Sequence, residues 1–369
     1  MARTSACSTE QLLILTIICL VAAAYQVFSV AACIVFRRQK SSSGHAATNG
    51  VSILKPVHGL DPAFREAIAS HTQLHGDYEL LCGVPSPDDP AISVLREFPT
   101  VRVLQCKTAA PNRKAGVLAH LARESRFPLI VVNDADIRVE PDYLERVTAP
   151  LEDPRNGLVT CLFRVEGSTF AARFEGLSVV TDFAPSALVA RLLGVDEFAM
   201  GSTLAFRRAD LERIGGFEAI SAYLADDYQL SARVHALGLK CVISDVIVST
   251  HMGGTWSEVW RHQVRWARTI RVSKPGGYLG VPVTFAVLWA LVAAAFGAWS
   301  YAGALLAVRM IAATQAGWFV LRSPDVLKLW LLIPLRDLFG MAVWCAGLFG
   351  RTVEWRGRRL WLDSEGRIQ

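Results

Sequence analysis

Leu129–Glu140 reads LIVVNDADIRVE. An apolar, mostly β-branched run leads straight into Asn133-Asp134-Ala135-Asp136. A short continuous run of this kind suits a strand buried on both faces of a parallel sheet. The C-terminal end of such a strand is where open α/β sheets bind ligands. Two carboxylates one residue apart fall there, on a turn, where both can converge on one ion. Hard oxygen ligands suit Mg²⁺ or Mn²⁺ bridged to substrate phosphates, not zinc or copper. A surface turn with two solvated acids is the competing reading. A lone DxD does not separate the two, so its neighbours along the chain decide.

Upstream, Val51–Lys55 is an apolar strand stopped by Pro56. Asp61 and Pro62 then read as the cap and first residue of a helix. Tyr78–Cys82 and Val101–Leu104 are two further strands. Asp89 follows the second strand in a loop dense in turn formers, and capping of the next helix competes with ligand contact there. Asn112 caps a helix running through Arg123. Lys114 lies in its first turn, where the helix dipole prefers anions. A phosphate or acidic ligand docked nearby would explain a cation at that place. The alternation of strand and helix predicts an α/β, doubly wound sheet with a nucleotide site along its C-terminal edge.

Downstream, Leu158–Phe163 reads as another strand. Phe174–Leu193 is apolar with helical period, as a core helix or the wall of a lipid-facing groove. Met200-Gly201-Ser202 precedes a short apolar run. Ala225-Asp226-Asp227-Tyr228 opens a helix that Gly238 ends. Acids at a helix start are favoured by the dipole, so capping competes there with a general-base role. Thr255-Trp256-Ser257-Glu258 matches a capping box. The helix it opens sets His262, Arg265, Trp266 and Thr269 on one face. Such a basic, aromatic helix suits an interfacial anchor, or a source of cations for a diphosphate leaving group.

The chain has 369 residues, 52% of them hydrophobic, and a net charge of +5. Its apolar excess is concentrated at the two ends. Leu12–Phe36 carries no charge and exceeds a signal-peptide core. Arg37, Arg38 and Lys40 follow, which by the positive-inside rule places the next domain in the cytosol. Leu279–Val308 is also charge-free. Arg309 interrupts, Met310–Leu321 continues, and Leu329–Gly350 is a third apolar stretch broken by Pro334, Arg336 and Asp337. One of these three stretches is expected not to cross fully. Between the ends lie roughly 240 residues, enough for one α/β domain. The expected organisation is an anchor at 1–36, a cytosolic domain at 37–278 that includes an interfacial helix at 256–271, membrane segments at 279–350 and a basic tail at 351–369. The eight cysteines are scattered without a CxxC pair, as in a reducing compartment. Ser41–Gly50 reads as a polar linker.

The order of these features resembles the ceramide glucosyltransferase family, a membrane branch of the GT-A glycosyltransferases. The resemblance is carried by Val51-Ser52-Ile53-Leu54-Lys55-Pro56, Asp88-Asp89-Pro90-Ala91-Ile92, Asp134 with Ile137-Arg138-Val139, Ala225-Asp226-Asp227-Tyr228, and Arg265-Trp266. Residue by residue it implies Asp89 near the nucleotide, Asp134 at the metal and diphosphate, Asp227 as the base, and Arg265 and Trp266 in the fourth motif. Lys55, Lys114 and His262 are expected with them on the donor. Asp136 joins Asp134 as a metal ligand for Mg²⁺ or Mn²⁺. The chain departs from the family at His262, where the fourth motif has Gln or Arg, with Gln263 one residue late. It departs again in its full DxD, where ceramide enzymes have Asp-Ser-Gly, and in this it is similar to bacterial relatives that include hopanoid glycosyltransferases.

The resemblance implies a multi-pass membrane enzyme of the bacterial inner membrane with its catalytic domain in the cytosol. It would move glucose or N-acetylglucosamine from UDP-glucose or UDP-N-acetylglucosamine to a hydroxyl of a ceramide, sphingolipid or hopanoid, with inversion. No nucleic acid is expected as a partner. A processive polysaccharide synthase would need more spans for its channel. A catalytically dead scaffold would have no use for all three aspartate positions.

Overall fold

The run Leu129–Val132 is a strand with Ile130, Val131 and Val132 fully buried, as its unbroken apolar character requires. The computed structural model describes residues 9–39, 50–61 and 63–369. Lys40, Pro62 and all of the polar linker except Gly50 lie outside the described residues. Strands β1 (Val51–Pro56), β2 (Tyr78–Val84), β3 (Val101–Gln105) and β4 (Leu129–Val132) run parallel in the spatial order β3-β2-β1-β4. The expected doubly wound sheet holds to this point.

Beyond β4 the sheet turns mixed. β5 (Ile137–Arg138), β6 (Asn156–Gly167), β7 (Leu204–Arg207) and β8 (Lys240–Met252) complete an eight-stranded sheet. β7 pairs antiparallel with β4 and with β6, while β8 lies parallel to β6. The two-residue β5 pairs antiparallel with β8, matching Ile137 with Thr250. That pairing brings the turn Asp134–Asp136 beside Thr250. Leu54, Leu81, Leu118, Leu121, Ile130 and Phe206 form the core beneath the sheet. Each fully buried side chain of this size contributes about 1.5–3 kcal/mol of transfer free energy.

The chain divides into two units. One comprises Gln39–Arg173, Gly194–Trp256 and Arg351–Gln369, and contains the sheet. The C-terminal residues belong to it as structure rather than as a loose basic tail. β9 (Thr352–Trp355) and β10 (Arg358–Trp361) form a hairpin. Its turn needs positive φ at Arg356 and Gly357. Ile368 donates its amide to the Ala222 carbonyl at 2.8 Å and Leu224 donates to Gly366 at 3.1 Å. Leu224, Val353, Leu360, Leu362 and Ile368 close a small core over these bonds.

The other unit comprises Met1–Arg38, Phe174–Leu193 and Ser257–Gly350. Three helices in it are long and apolar enough to cross a membrane: Leu13–Arg38, Trp299–Val320 and Trp330–Gly347. A fourth candidate is a pair, Pro275–Thr284 and Ala286–Ala295, bent by 53°. Leu13, Ile14, Ile17 and Leu20 are exposed along the first helix, a face suited to lipid. The division cuts the chain differently from the expected boundaries. Phe174–Leu193 and nearly all of the helix Trp256–Ser273 belong with the apolar helices, not with the sheet. Arg268 and Arg271 of that helix donate to the carbonyls of Leu348, Phe349 and Gly350, satisfying the end of the last apolar helix.

One local expectation also changes. The first helix of the sheet unit begins at Phe64, after Ala63 in a left-handed conformation, so Asp61 lies outside it; its carbonyl accepts the Phe64 amide and its carboxylate pairs with Arg356 instead of capping. Among the described residues seven cysteines are free, six of them buried.

Candidate active site

Asn133 fixes the end of β4. Its amide donates to Tyr143 Oη and the Ser202 carbonyl at 2.9 Å and to Thr203 Oγ1 at 3.1 Å. Beneath the next turn, Lys55 Nζ donates to the carbonyls of Asp134 at 2.9 Å and Ile137 at 3.4 Å. Lys55 is fully buried, and burial pushes its ammonium down to about 8. The sequence placed Lys55 on the donor. The structure instead makes it a prop under the DxD turn, shut off from any ligand.

Asn112 caps the helix Arg113–Glu124 as expected, accepting the Ala115 amide at 3.1 Å. That cap aims Lys114 at carboxylates. Its Nζ stands 2.8 Å from Asp134 Oδ1 and 3.1 Å from Asp226 Oδ2. Burial works to discharge Lys114, but Asp134 and Asp226 outweigh it and hold the ammonium charged. Protein carboxylates thus account for the cation that the sequence assigned to a bound anion.

Asp226 and Asp227 form the first turn of the helix Asp226–Ala236, behind an N-cap at Ala225. They face different partners. Asp226 is buried against Lys114, whereas Asp227 is half-buried. Asp227 Oδ2 accepts the Gly201 amide at 3.1 Å and its Oδ1 accepts its neighbour Tyr228's amide at 2.8 Å. Burial, then the Asp226 charge, pushes Asp227 up to about 6. Gly201 is where the cluster closes. A Cβ there would lie 3.4 Å from Asp227 Oδ2, 3.6 Å from Lys114 Nζ and 3.8 Å from Asp134 Oδ2. Nothing local marks Gly201 as a site residue, since its partners are remote in the chain.

Asp136 accepts a hydrogen bond from Thr250, the residue that the β5–β8 pairing supplies. Burial, then the Asp134 charge, raises its pKa. Asp89 ties two loops of the same sheet edge. Both of its oxygens accept the Gly59 amide, at 3.0 and 3.2 Å, and Oδ1 caps the Ala91 amide at 2.9 Å. Among the described residues no group of three or more His, Cys, Asp or Glu side chains forms a metal cage. One ammonium nevertheless faces three carboxylates around Gly201. That negative excess, with Asp134 half open, fits a divalent cation completed by phosphate oxygens.

The fourth motif lies in the other unit. His262 Nδ1 stands 2.5 Å from Glu175 Oε1, and its ring lies 4.5 Å from that of Trp266. Gln263 donates to the same Glu175 oxygen at 3.0 Å and is buried. Arg265 is half-buried on the same helix.

The description Glycosyl transferase family 21 matches residues 14–368, nearly the whole chain. The chain belongs to glycosyl transferase family 21. Ceramide glucosyltransferase 1 of Caenorhabditis elegans is 28% identical over 205 residues, 53% of this chain and 44% of that protein. Ceramide glucosyltransferase 3 of the same organism is 31% identical over 209 residues, again 53% and 44%. Beta-monoglucosyldiacylglycerol synthase of Synechocystis is 25% identical over 196 residues, 51% of this chain and 38% of that protein. The matched part thus spans less than half the length of these curated relatives. Among solved structures, a mannosyltransferase of Pyrobaculum calidifontis in complex with GDP-Man and Mn²⁺ has a TM-score of 0.52 at 17% identity, covering 90% of this chain and 97% of that one. That likeness establishes the GT-A fold of this family 21 chain.

Proposed function

We propose that this chain is an inverting glycosyltransferase that moves glucose or N-acetylglucosamine from a UDP-sugar to a hydroxyl of a membrane lipid. The observation that carries the reading is the cluster around Gly201, where Asp134, Lys114 and the pair Asp226 and Asp227 converge from three segments at one edge of the sheet. Asp227 is the base. Its Oδ2 is held by a single backbone amide and its raised pKa suits a proton acceptor near neutral pH. The lipid oxygen forms a bond to the anomeric carbon, the bond from that carbon to UDP breaks, and the hydroxyl proton passes to Asp227. Attack from the face opposite the leaving group gives a β product from an α donor. When bound at Asp134 and Asp136, Mg²⁺ or Mn²⁺ would supply charge neutralisation to the donor diphosphate. Lys55 holds the carbonyls of that turn, and Asp89 holds the adjacent loops. The resemblance assigns Arg265 and Trp266 to the leaving group. Ceramide, diacylglycerol and a hopanoid are the acceptor classes.

The sheet unit is assigned to the cytosol because Arg37 and Arg38 follow the first apolar helix. The C-terminal residues are fixed in the same unit, so the segment between Trp256 and Arg351 crosses an even number of times. With Trp299–Val320 and Trp330–Gly347 as full spans, the bent pair Pro275–Ala295 is re-entrant.

The test is UDP release by purified full-length protein in lipid nanodiscs, with each UDP-sugar and each lipid class, followed by mass spectrometry of the lipids. A β-hexosyl or β-N-acetylhexosaminyl lipid is expected, lost in EDTA and restored by Mn²⁺ or Mg²⁺. UDP release without any glycolipid would overturn the acceptor, and undiminished turnover in chelator would overturn the metal.

A further inference from the structure

The β9–β10 hairpin reaches two loops of the sheet unit that carry candidate site residues. At its tip, Arg356 Nη1 donates to the His58 carbonyl at 2.7 Å and Nη2 to Asp61 Oδ2 at 3.4 Å. The amide of that same peptide belongs to Gly59, and both Asp89 oxygens accept it. Arg356 and Asp89 thus grip one peptide group from its two ends. A guanidinium on the oxygen polarises the peptide and strengthens its N–H bond to the carboxylate. Packing does not fix this peptide. Gly59 has a φ of 71°, and a Cβ there would meet nothing within 4 Å. Leu60 beside it is exposed. Polar contacts therefore set where the loop stands.

The other end of the hairpin is fixed on a different loop. Leu362 donates to the Arg351 carbonyl at 2.9 Å, and Arg367 bridges antiparallel to Tyr223. Arg367 Nε also donates to Tyr223 Oη at 3.1 Å. On its far side the same loop is held by Asn112, whose side-chain amide donates to the Tyr223 carbonyl at 2.7 Å and whose backbone amide donates to Ser221 at 2.9 Å. Asn112 is the cap that aims Lys114, and the loop runs through Ala225 straight into Asp226 and Asp227. One strand pair therefore ties the loop that Asp89 holds to the segment that leads into both acids.

We propose that Arg356 is a positioning residue for donor binding, which acts on Asp89 through the His58–Gly59 peptide. This rests on the donor reading above, in which Asp89 lies near the nucleotide. In this role Arg356 does not touch the donor. A loop already held in place spares the donor the cost of ordering it, which would otherwise be taken from affinity. Arg356 is 39% and Asp61 28% exposed, and an ion pair this open contributes little to stability. The loss of Arg356 is therefore read in donor binding rather than in folding.

The experiment uses the full chain in phosphatidylcholine nanodiscs with Mn²⁺ present and UDP as the binding probe. UDP Kd, thermal midpoint, and kcat and KM with UDP-glucose and UDP-N-acetylglucosamine are read for wild type, Arg356→Met, Arg356→Lys, Asp89→Asn and the double variant Arg356→Met/Asp89→Asn. Arg356→Met keeps the stem and the same positive-φ backbone but removes every donor. Arg356→Lys keeps one donor for the His58 carbonyl. Arg356→Met is expected to raise UDP Kd and donor KM about fivefold, the cost of ordering the loop on binding, with kcat and midpoint near wild type. Arg356→Lys should restore most of that loss. The double variant should bind UDP no more weakly than Asp89→Asn alone, because bonds in one network do not add. Should Arg356→Met not fold, Arg356→Ala takes its place. Wild-type UDP affinity in the folded variant overturns the proposal. So does a double variant in which the two losses multiply, which would put Arg356 on the ligand itself. If Asp89→Asn binds UDP as wild type does, the placement of Asp89 falls first and the role of Arg356 with it, while glycolipid synthesis stands.

Discussion

Lys114 and Arg309 each stand between carboxylates, but Lys114 is 15% and its partner Asp134 40% exposed, whereas Arg309 and Asp337 are each 1% exposed. The first arrangement leaves acids over. One ammonium faces Asp134, Asp226 and Asp227, and two of these three carboxylates are only half-buried. The second nearly consumes its charges. Arg309 donates from all three of its nitrogens, to Asp337, Asp182 and the Thr181 carbonyl. A basic side chain among aspartates thus leaves open acids in one unit and builds a closed brace in the other. Burial and the count of unspent donors and acceptors make the difference. Mutating each cluster should therefore fail in a different currency, the first in turnover and the second in folding.

The largest effect is expected at Asp227. Asp227→Asn keeps the shape and can still accept one of the two backbone amides, so the main change is to proton transfer. We expect kcat to fall by on the order of 10²–10⁴-fold with UDP-sugar affinity retained. Asp226→Asn, by contrast, weakens a contact to Lys114 and should spare much of the turnover. A dead Asp226→Asn beside an active Asp227→Asn would move the base by one residue.

Next comes Arg309→Met. Removing one side of a buried ion pair leaves Asp337 and Asp182 uncompensated and costs about 3–5 kcal/mol. The expected readout is loss of the monodisperse peak and a lowered thermal midpoint in detergent. Lys114→Met should lower activity, and its midpoint should fall less than that of Arg309→Met, because Asp134 can turn to water and only Asp226 is left buried without its partner. Equal loss of folded protein in both variants would erase the contrast between the clusters.

A third effect follows from pH. Asp227 is raised to about 6, so its basic form is lost below that value, and kcat/KM should fall about tenfold from its plateau by pH 5. The linked stability runs the other way. A carboxyl held above its ordinary value binds its proton more tightly when folded, so this group's contribution to stability declines as pH rises from the usual carboxylate range through about 6. A flat kcat/KM between pH 5 and 7, measured on protein shown to be folded, would remove Asp227 from the titrating step.

How much of this was legible depends on the distance between partners. The β4 run, the turn after it and the Asn112 cap are local patterns, and each stands where the sequence placed it. Lys55 was assigned a ligand because the residue type was readable but the side of the strand it faces was not. Gly201 and Thr250 were invisible as site residues, since an antiparallel strand and a remote helix bring their partners to them. Period alone gave Phe174–Leu193 its helix but could not say whether apolar neighbours would be a sheet or other helices. Arg309, Arg336 and Asp337 read as interruptions of apolar runs. Only packing turned them into one network, and β8, whose residues are mostly buried, was not singled out at all.

The smallest effect is expected at His262, where this chain departs from its family's Gln or Arg. His262 makes two contacts, Nδ1 to Glu175 at 2.5 Å and its ring to Trp266 at 4.5 Å. A glutamine at 262 can donate its amide to Glu175 but has no ring to lay against the indole. The surviving bond holds the helix, because Gln263 anchors the same Glu175 oxygen at 3.0 Å and Arg336 anchors Gln263 in turn. The loss is therefore confined to an aromatic contact, worth about 1 kcal/mol. His262→Gln should cost about fivefold in kcat/KM, with the thermal midpoint lowered by about 2–4 °C at most, and His262→Ala should cost more because Glu175 then loses a partner. The measurement is kcat/KM for both variants against wild type. A His262→Gln enzyme as impaired as Asp227→Asn would mean that the imidazole itself takes part in the chemistry, and that the histidine is a functional replacement rather than a tolerated one.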